Sequence, residues 1–443
     1  MIKGQDPSHI VFGNSLTRTD GYPGDKFDYL LANPPFGVDW KKYAADIQTE
    51  HTQQGFDGRY GPGLPRVSDG SLLFLLHMLS KFKPVADDPA TPDIIEGGSR
   101  MAIVFSGSPL FSGAAGGGES EIRRYVIEND LLEGIVALPD QLFYNTGIST
   151  YFWVLTNRKT PDRVGKIALI DARESYVKMR KSLGDKRKMI STEQIADITR
   201  LYDDAIELAA TGADKRVKVF DREAFGFQRV TVEQPLRRVW RPSIQAIESV
   251  LATKRWRTWL STPDNDLIKR NSPESPGQEL AGVTGWCDED HSFATEEECF
   301  WFYAGDGLPS GWGLPTKLLM ALAKASAIAD PTAPIITNRK GHPEPDPELR
   351  DQENIPLPDG YLWFPDDKRE EMLRQQAERY LIGEIHPYLP DAWIDHTKTK
   401  IGYEIPFTRH FYEYTPPRPV AEIDAELQEI EKEIQQLLGG LAR

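Results

Sequence analysis

Four consecutive residues, Asn33, Pro34, Pro35 and Phe36, combine groups that could act on an amine. The exocyclic amine of a nucleobase is a poor nucleophile because its lone pair is delocalised into the ring. Two oxygen acceptors aimed at its N–H groups would draw the nitrogen towards tetrahedral geometry, and the Asn33 side-chain oxygen and the Pro34 carbonyl could be those acceptors. Consecutive prolines would hold both rigidly, and Phe36 could stack on an extruded base.

A structural interpretation of the same four residues stays open. Proline lacks an N–H and has a fixed φ, so the pair could simply end a buried strand, with Phe36 in the core. The position of the tetrapeptide favours function. It follows the apolar run 27–32, and ligands of open α/β sheets bind beyond the carboxyl ends of the strands.

The first 160 residues alternate short apolar runs with helical patterns, which predicts an α/β fold with a parallel sheet. The expected strands are residues 9–14, 27–32, 101–106, 133–139 and 150–156. Helical patterns predict helices at residues 70–82, 120–130 and 315–329. Asp69 is a candidate N-cap for the first of these helices, and His77 is expected to be a packed core residue.

Composition limits the classes of function. The chain has 443 residues, 40% of them hydrophobic, and two cysteines without partners at metal-ligand spacing. This pattern fits a reducing cytoplasm and argues against a disulfide framework or a zinc site. No apolar run is long enough for a membrane span. The net charge of −15 disfavours a protein that grips DNA with its whole surface.

Three further segments are candidates for contacts with partners. Residues 158–188 contain eleven Lys and Arg against four Asp and Glu, so this stretch could lie along DNA phosphates or be a solvated face. The loop 59–66 could border a base or the DNA backbone, or be flexible.

Near the C-terminus, apolar residues recur at steps of three and four, which predicts a helix with one apolar stripe that ends at Gly439 and Gly440. The stripe comprises Val420, Ile423, Leu427, Ile430, Ile434 and Leu437.

Residues 28–37, DYLLANPPFG, resemble the catalytic motif of amino-group DNA methyltransferases that methylate adenine at N6. The segments around residues 97–159 and 398–427 resemble one branch of them, the modification (M) subunits of type I restriction–modification systems. The resemblance covers residues 9–250 and 370–438. It implies a partial class I, Rossmann-like, S-adenosylmethionine-dependent methyltransferase sheet, a mixed extension and C-terminal helices.

The resemblance assigns roles to residues and partners. Asn33, Pro34, Pro35 and Phe36 would form the catalytic loop, and Asn14, in the segment GNSL, would contact S-adenosylmethionine with Asn33. Where the family usually has Asp, this chain has Asn14, whose amide oxygen could still accept a hydrogen bond; an ordinary turn is the alternative. The expected partners are DNA, a specificity (S) subunit, a restriction (R) subunit, and a second M subunit or a missing N-terminal fragment.

Part of the family pattern is absent. The cofactor signature after the first strand, and the acidic residue after the second, do not occur before Asn33. The chain is therefore expected to be an N-terminally truncated or split M subunit, inactive alone, with the apolar edge of residues 27–32 exposed. The alternative function is a non-catalytic scaffold or assembly partner. The expected domains are a catalytic domain, 1–165, an extension, 166–369, and a subunit-contact region, 370–443.

Overall fold

A computed structural model describes residues 8, 10–17, 21–86, 96–261, 292–305, 314–414, 416 and 419–441. The chain divides into two compact units. The sheet unit comprises residues 1–227 and 401–443, and the inserted unit comprises residues 228–400. The functional divisions expected at residues 165 and 369 stay predictions, because compactness does not assign function. Cys287 lies outside the described residues.

The described strands are short, and most belong to the sheet unit. They are β1 Tyr29–Ala32, β2 Val85–Ala86, β3 Glu96–Gly97, β4 Arg100–Phe105, β5 Leu132–Leu138, β6 Thr150–Thr156, β7 Lys166–Asp171, β8 Val177–Leu183, β9 Lys186–Met189, β10 Val217–Asp221, β11 Gly226–Glu233, β12 Arg238–Trp240, β13 Ala327–Ala329, β14 Asp351–Pro356, β15 Trp393–Ile394 and β16 Lys400–Tyr403.

The described α-helices follow the same chain order. They are α1 Ala44–Gln54, α2 Ser71–Leu79, α3 Ser108–Phe111, α4 Gly118–Glu128, α5 Thr192–Asp203, α6 Ala205–Thr211, α7 Ile244–Leu251, α8 Lys254–Leu260, α9 Glu296–Ala304, α10 Thr316–Ala325, α11 Asp366–Tyr380, α12 Phe407–His410 and α13 Val420–Leu441. The three helices predicted from periodicity correspond to α2, α4 and α10.

A six-stranded sheet with the order β1-β4-β6-β5-β7-β10 organises the sheet unit. The α/β class is confirmed, but the expectation of a parallel sheet is wrong. β1 runs parallel to β4 and β5 parallel to β7, whereas β6 runs antiparallel to both of its neighbours. Because β4 and β5 both oppose β6, they run the same way. The C-terminal ends of β1, β4, β5 and β7 therefore share one border of the sheet, here called the carboxyl edge.

The outer strand β1 is exposed, as the sequence predicts for residues 27–32. Leu31 is 82% exposed and Tyr29 is 70% exposed. The strand expected at residues 9–14 is not found: residues 10–14 have no strand structure, and His9 lies outside the described residues. A strand needs a neighbour for its backbone hydrogen bonds, and no described strand pairs with the outer side of β1.

The centre of the sheet is tightly packed. Trp153 on β6 is fully buried and meets Phe105 on β4 edge to face, with 5.3 Å between ring centroids. From α4, Ile122 and Val126 are also fully buried. Apolar burial of this extent stabilises the sheet by roughly 2 kcal/mol for each large side chain. It therefore gives the loops at the carboxyl edge a rigid base.

The inserted unit has its own cores. β14, β11 and β15 form one sheet, and Val230, Ile355 and Leu381 are buried in a cluster beside it. A second cluster gathers α7, α9 and α10 around Ile247 and Leu318. Of its elements between residues 260 and 370, the sequence patterns predict only α10.

The C-terminal helix α13 runs through Gly439 and Gly440 to Leu441, so the predicted end at these glycines is wrong. Glycine costs a helix about 1 kcal/mol relative to alanine but does not forbid it. The described side chains of the apolar stripe are 41–72% exposed. None of the helices that the structure describes has the length and apolar character of a membrane span.

Candidate active site at the carboxyl edge

The tetrapeptide Asn33 to Phe36 follows β1 directly and so lies at the carboxyl edge. Asn33 and Pro35 are exposed, Pro34 is buried and Phe36 is half-buried. Gly37 adopts a φ of 61°, a left-handed conformation that favours glycine and lets the chain turn behind Phe36. Within the described residues, neither the Asn33 side chain nor the Pro34 carbonyl accepts a hydrogen bond. Of the two groups, the Asn33 side chain belongs to an exposed residue and the Pro34 carbonyl to a buried one.

Hydrogen bonds fasten the chain immediately after the tetrapeptide. Trp40 is 2% exposed, and its backbone N–H donates to the Val67 carbonyl at 3.1 Å. Its indole Nε1–H donates to the Arg66 carbonyl at 3.0 Å. The Gly70 N–H donates in turn to the Val38 carbonyl at 3.0 Å. The tetrapeptide is therefore held between a strand on one side and an anchored indole on the other.

A polar cluster links this anchor to the end of β4. The Arg66 guanidinium donates to Ser108 Oγ at 2.8 Å, and Ser108 Oγ donates to Asp69 Oδ2 at 3.2 Å. Asp69 Oδ1 accepts from the Ser71 N–H at 3.1 Å, at the start of α2. The prediction of Asp69 as the N-cap is wrong, because Gly70 occupies that position; the Asp69 carboxylate instead binds the first residue of the helix from one position earlier.

Asn14, the predicted cofactor contact, lies in a local turn. Its side-chain Oδ1 accepts from the Leu16 N–H at 3.0 Å, and its carbonyl accepts from the Thr17 N–H at 3.2 Å. The first bond defines an Asx turn, and the second closes a β-turn over the same residues. Within the part of the chain that the structure describes, no hydrogen bond joins Asn14 to the tetrapeptide.

Arg59 anchors the Asn14 turn rather than reaching outward. Its guanidinium donates to the Ser15 carbonyl at 2.7 Å and pairs with Glu50 at 2.6 Å. Glu50 is partly buried, which would raise its carboxyl pKa, but the hydrogen bonds from Arg59 keep that pKa below its usual value. His77 Nδ1 lies 3.2 Å from the same guanidinium, so this half-buried ring belongs to the packing between α2 and the turn.

The described residues do not form a complete site for a sulfonium methyl donor. The Asn14 oxygen accepts a hydrogen bond within its own turn, and the Arg59 guanidinium binds Glu50 and backbone carbonyls, so the contacts of both groups among the described residues are internal. The carboxyl edge presents the Asn33 side-chain oxygen, in an exposed residue, next to the carbonyl of the buried Pro34.

Comparison with known proteins places the chain among methylases. It is 28% identical over 202 residues to the type I restriction enzyme MjaIX methylase subunit of Methanocaldococcus jannaschii, covering 44% of this chain and 31% of that protein. It is 31% identical over 158 residues to the HindI methylase subunit of Haemophilus influenzae, covering 35% of this chain and 30% of that protein. The matches thus span about a third of these curated relatives.

A solved methyltransferase subunit of a type I restriction–modification system, from Streptococcus thermophilus, has 24% sequence identity and a TM-score of 0.34; the match covers 46% of this chain and 36% of that one. The family model of the N-6 DNA methylases matches residues 1–224, which is half of the chain and includes the tetrapeptide, the Asn14 turn and the six-stranded sheet. The chain belongs to the N-6 DNA methylase family.

Proposed function

We propose that this chain takes part in methylating the N6 amine of adenine in DNA, as a modification subunit of a type I restriction–modification system. The observation that supports this most is the position of Asn33, exposed and followed by the two prolines, at the carboxyl edge of a sheet that the family model covers. The relatives named above are type I methylase subunits, which favours the same class of protein for this chain.

The residues present would act on the adenine rather than on the donor. The Asn33 side-chain oxygen and the Pro34 carbonyl would each accept one N6–H, which localises the lone pair on nitrogen. Pro34 is buried and Pro35 follows it, so the carbonyl between them cannot turn away as the amine becomes tetrahedral. The half-buried Phe36 presents part of its ring for stacking on an extruded base.

S-adenosylmethionine is the donor that we propose, and part of its site would have to come from outside the described residues. The exposed outer side of β1 is where further sheet could pair. A second chain or segment that extends the sheet there would complete the fold of the site.

A specificity subunit is the proposed partner of α13. The apolar stripe of this helix is exposed along its described length. A stripe with steps of three and four residues suits a helical partner. DNA, a restriction subunit and a second M subunit complete the proposed assembly.

One alternative is a non-catalytic scaffold. Two observations favour it: the Asn14 oxygen accepts a hydrogen bond within its own turn, and no described strand pairs with the outer side of β1. Both fit a sheet unit that lacks binding residues for the methyl donor. In that case the tetrapeptide would be a rigid turn without a substrate.

The modified nucleoside formed in DNA tests the proposed function. The chain, co-expressed with a specificity subunit, is incubated with duplex DNA and S-adenosylmethionine, and the digested nucleosides are analysed by mass spectrometry. We expect N6-methyladenine with the unmodified chain and a background level with the Asn33→Ala variant. Equal N6-methyladenine from both would refute the role of the tetrapeptide, and none from either would leave the scaffold function.

A further inference from the structure

The hairpin of β8 and β9, residues 177–189, rises from the carboxyl edge. It follows β7 after a short turn, and the carboxyl ends of β7 and β1 lie on the same border of the sheet. Residues 177–189 include six Lys and Arg and one Asp, in a chain whose net charge is −15. We call this element the basic hairpin.

The structure divides the basic stretch of residues 158–188 into two parts with different roles. Lys159 is 6% exposed and binds Asp130 at 2.6 Å, and Arg163 donates to the Tyr202 carbonyl at 2.6 Å. These residues precede β7, at the border opposite the carboxyl edge, and are used in packing. The exposed cations lie in the basic hairpin: Lys178, Arg180, Lys181 and Arg187.

The four exposed cations are not neutralised by their surroundings. Within the described residues, none of them forms an ion pair. Lys178 also stands directly opposite Lys188 in the antiparallel register. Like charges that face each other across two strands destabilise a hairpin; Asp140 offsets the charge of Lys188, whereas Lys178 has no ion-pair partner among the described residues.

Other residues of the hairpin fix it against the loop that follows β5. Lys188 forms an ion pair with Asp140 and lies 3.6 Å from the Tyr176 ring centroid. The Arg187 N–H donates to the Gln141 carbonyl at 2.9 Å. Near the tip, the Asp185 N–H donates to the Tyr144 carbonyl at 3.1 Å. The exposed cations are therefore presented on a positioned element.

The strand order gives the distance from the basic hairpin to the tetrapeptide. β5 and β7 are three and four places from β1, and neighbouring strands lie about 4.8 Å apart, so the separation along the edge is about 14–19 Å. Base pairs of a duplex rise by about 3.4 Å, so this distance corresponds to four to six base pairs. One short duplex could contact both elements.

We propose that the basic hairpin binds the sugar–phosphate backbone of duplex DNA, several base pairs from the base presented to Asn33. This inference rests on the proposed function, which supplies the duplex. Charge complementarity selects the partner, since a row of exposed cations in an acidic chain suits a polyanion. The contact is to phosphates, so it adds affinity and register but no sequence preference.

The test measures the salt dependence of binding. The full chain is titrated against a fluorescein-labelled 30-base-pair duplex by anisotropy at several NaCl concentrations. The variant carries Lys178→Ala, Lys181→Ala and Arg187→Ala. Each phosphate contact contributes about 0.9 to the slope of log K against log salt, so we expect the slope to fall by about 2–3.

A matched variant controls for the loss of charge. Lys254→Ala, Arg255→Ala and Lys317→Ala remove three exposed cations from the inserted unit, and we expect an unchanged slope. Thermal melting shows whether each variant remains folded. A hairpin variant with the slope of the unmodified chain would overturn the proposal, and the hairpin would then be a solvated face or the site of an acidic protein.

Two further results would also overturn the proposal: equal losses in both variants, or no salt-dependent duplex binding by the unmodified chain. Binding needs no methyl donor, so the outcome is separate from the methylation assay. A chain that binds through the hairpin but forms no N6-methyladenine would retain this contact and lose the proposed catalytic function.

Discussion

The indole of Trp40 donates its Nε1–H to the Arg66 carbonyl at 3.0 Å, and this bond closes the chain segment that begins at Asn33. Trp40 is buried, so the bond is shielded from water. A loop that must hold two acceptors at fixed positions needs supports of this kind, because a small displacement of either acceptor misaligns it with the amine.

Trp40→Phe removes the donor while keeping an aromatic ring. We expect the free energy of unfolding to fall by about 1 kcal/mol, as for the loss of one hydrogen bond, and methyl transfer to fall more than DNA affinity. Urea unfolding and the methylation assay measure the two effects. Trp363→Phe, at a 62% exposed position, is the control; equal behaviour of the two variants would show that the indole bond does not support the loop.

A glycine at the start of α4 fixes the neighbouring loop. A Cβ on Gly118 would lie 1.7 Å from the Leu64 carbonyl oxygen, so one backbone must move if a side chain is added. Gly118→Ala should therefore lower the free energy of unfolding by about 1–3 kcal/mol. Gly383→Ala, where a Cβ meets nothing within 4 Å, should be near neutral in the same urea experiment. A neutral Gly118→Ala would contradict this packing.

Local sequence patterns predict much of the central sheet. The run Thr150–Thr156 is rich in β-branched and aromatic residues and forms β6 with the predicted bounds. Its antiparallel direction was not predictable, because an alternating or apolar pattern is the same in either direction. Residues 10–14 have the composition of a strand, but pairing depends on a neighbour that composition does not reveal.

We expect His410 to make the stability of the sheet unit depend on pH. Burial between aromatic rings, followed by the charges of Lys218 and Arg409, lowers the pKa of its imidazole below 6.5. The unfolded chain therefore binds a proton near pH 6.5 that the folded chain resists, so acidification below that value destabilises the fold. When the pH is lowered from 7.5 to 5.5, we expect the melting temperature to fall less for His410→Gln than for the unmodified chain.

The control for this pH effect is His342→Gln, at an exposed position of the inserted unit. It should show the same pH dependence of melting temperature as the unmodified chain. If His410→Gln did so too, the imidazole would not be responsible.

The exposed apolar stripe on α13 predicts that substitutions there impair subunit assembly without lowering the melting temperature of the chain. Leu427 and Ile430 are 54% and 52% exposed, so Leu427→Asp with Ile430→Asp should leave the melting temperature unchanged. The same pair should abolish co-purification with a specificity subunit, because a charge in an apolar helical interface is strongly unfavourable. Glu429→Gln on the same helix is the control. Retained co-purification of the double variant would place the partner elsewhere.

The sequence alone predicts the rigid turn of the tetrapeptide but not the contacts that hold it in place. Two prolines restrict the backbone whatever the tertiary structure, so a rigid turn after β1 could be expected. The anchor at Trp40 and the division of the basic stretch into packed and exposed parts depend on contacts between residues far apart in the chain. The Asx turn of Asn14 depends only on neighbouring residues. In the sequence, its only indication was a short polar side chain followed by Ser15.

The most direct test concerns the acceptor on Asn33. Single-turnover methylation is measured with Asn33→Ala and with Asn129→Ala, which alters an exposed asparagine after α4. Because a polarising group acts in the transition state, we expect Asn33→Ala to slow the rate about 10²–10³-fold with unchanged duplex affinity, and Asn129→Ala to have no effect. A rate for Asn33→Ala equal to that of the unmodified chain would contradict the account.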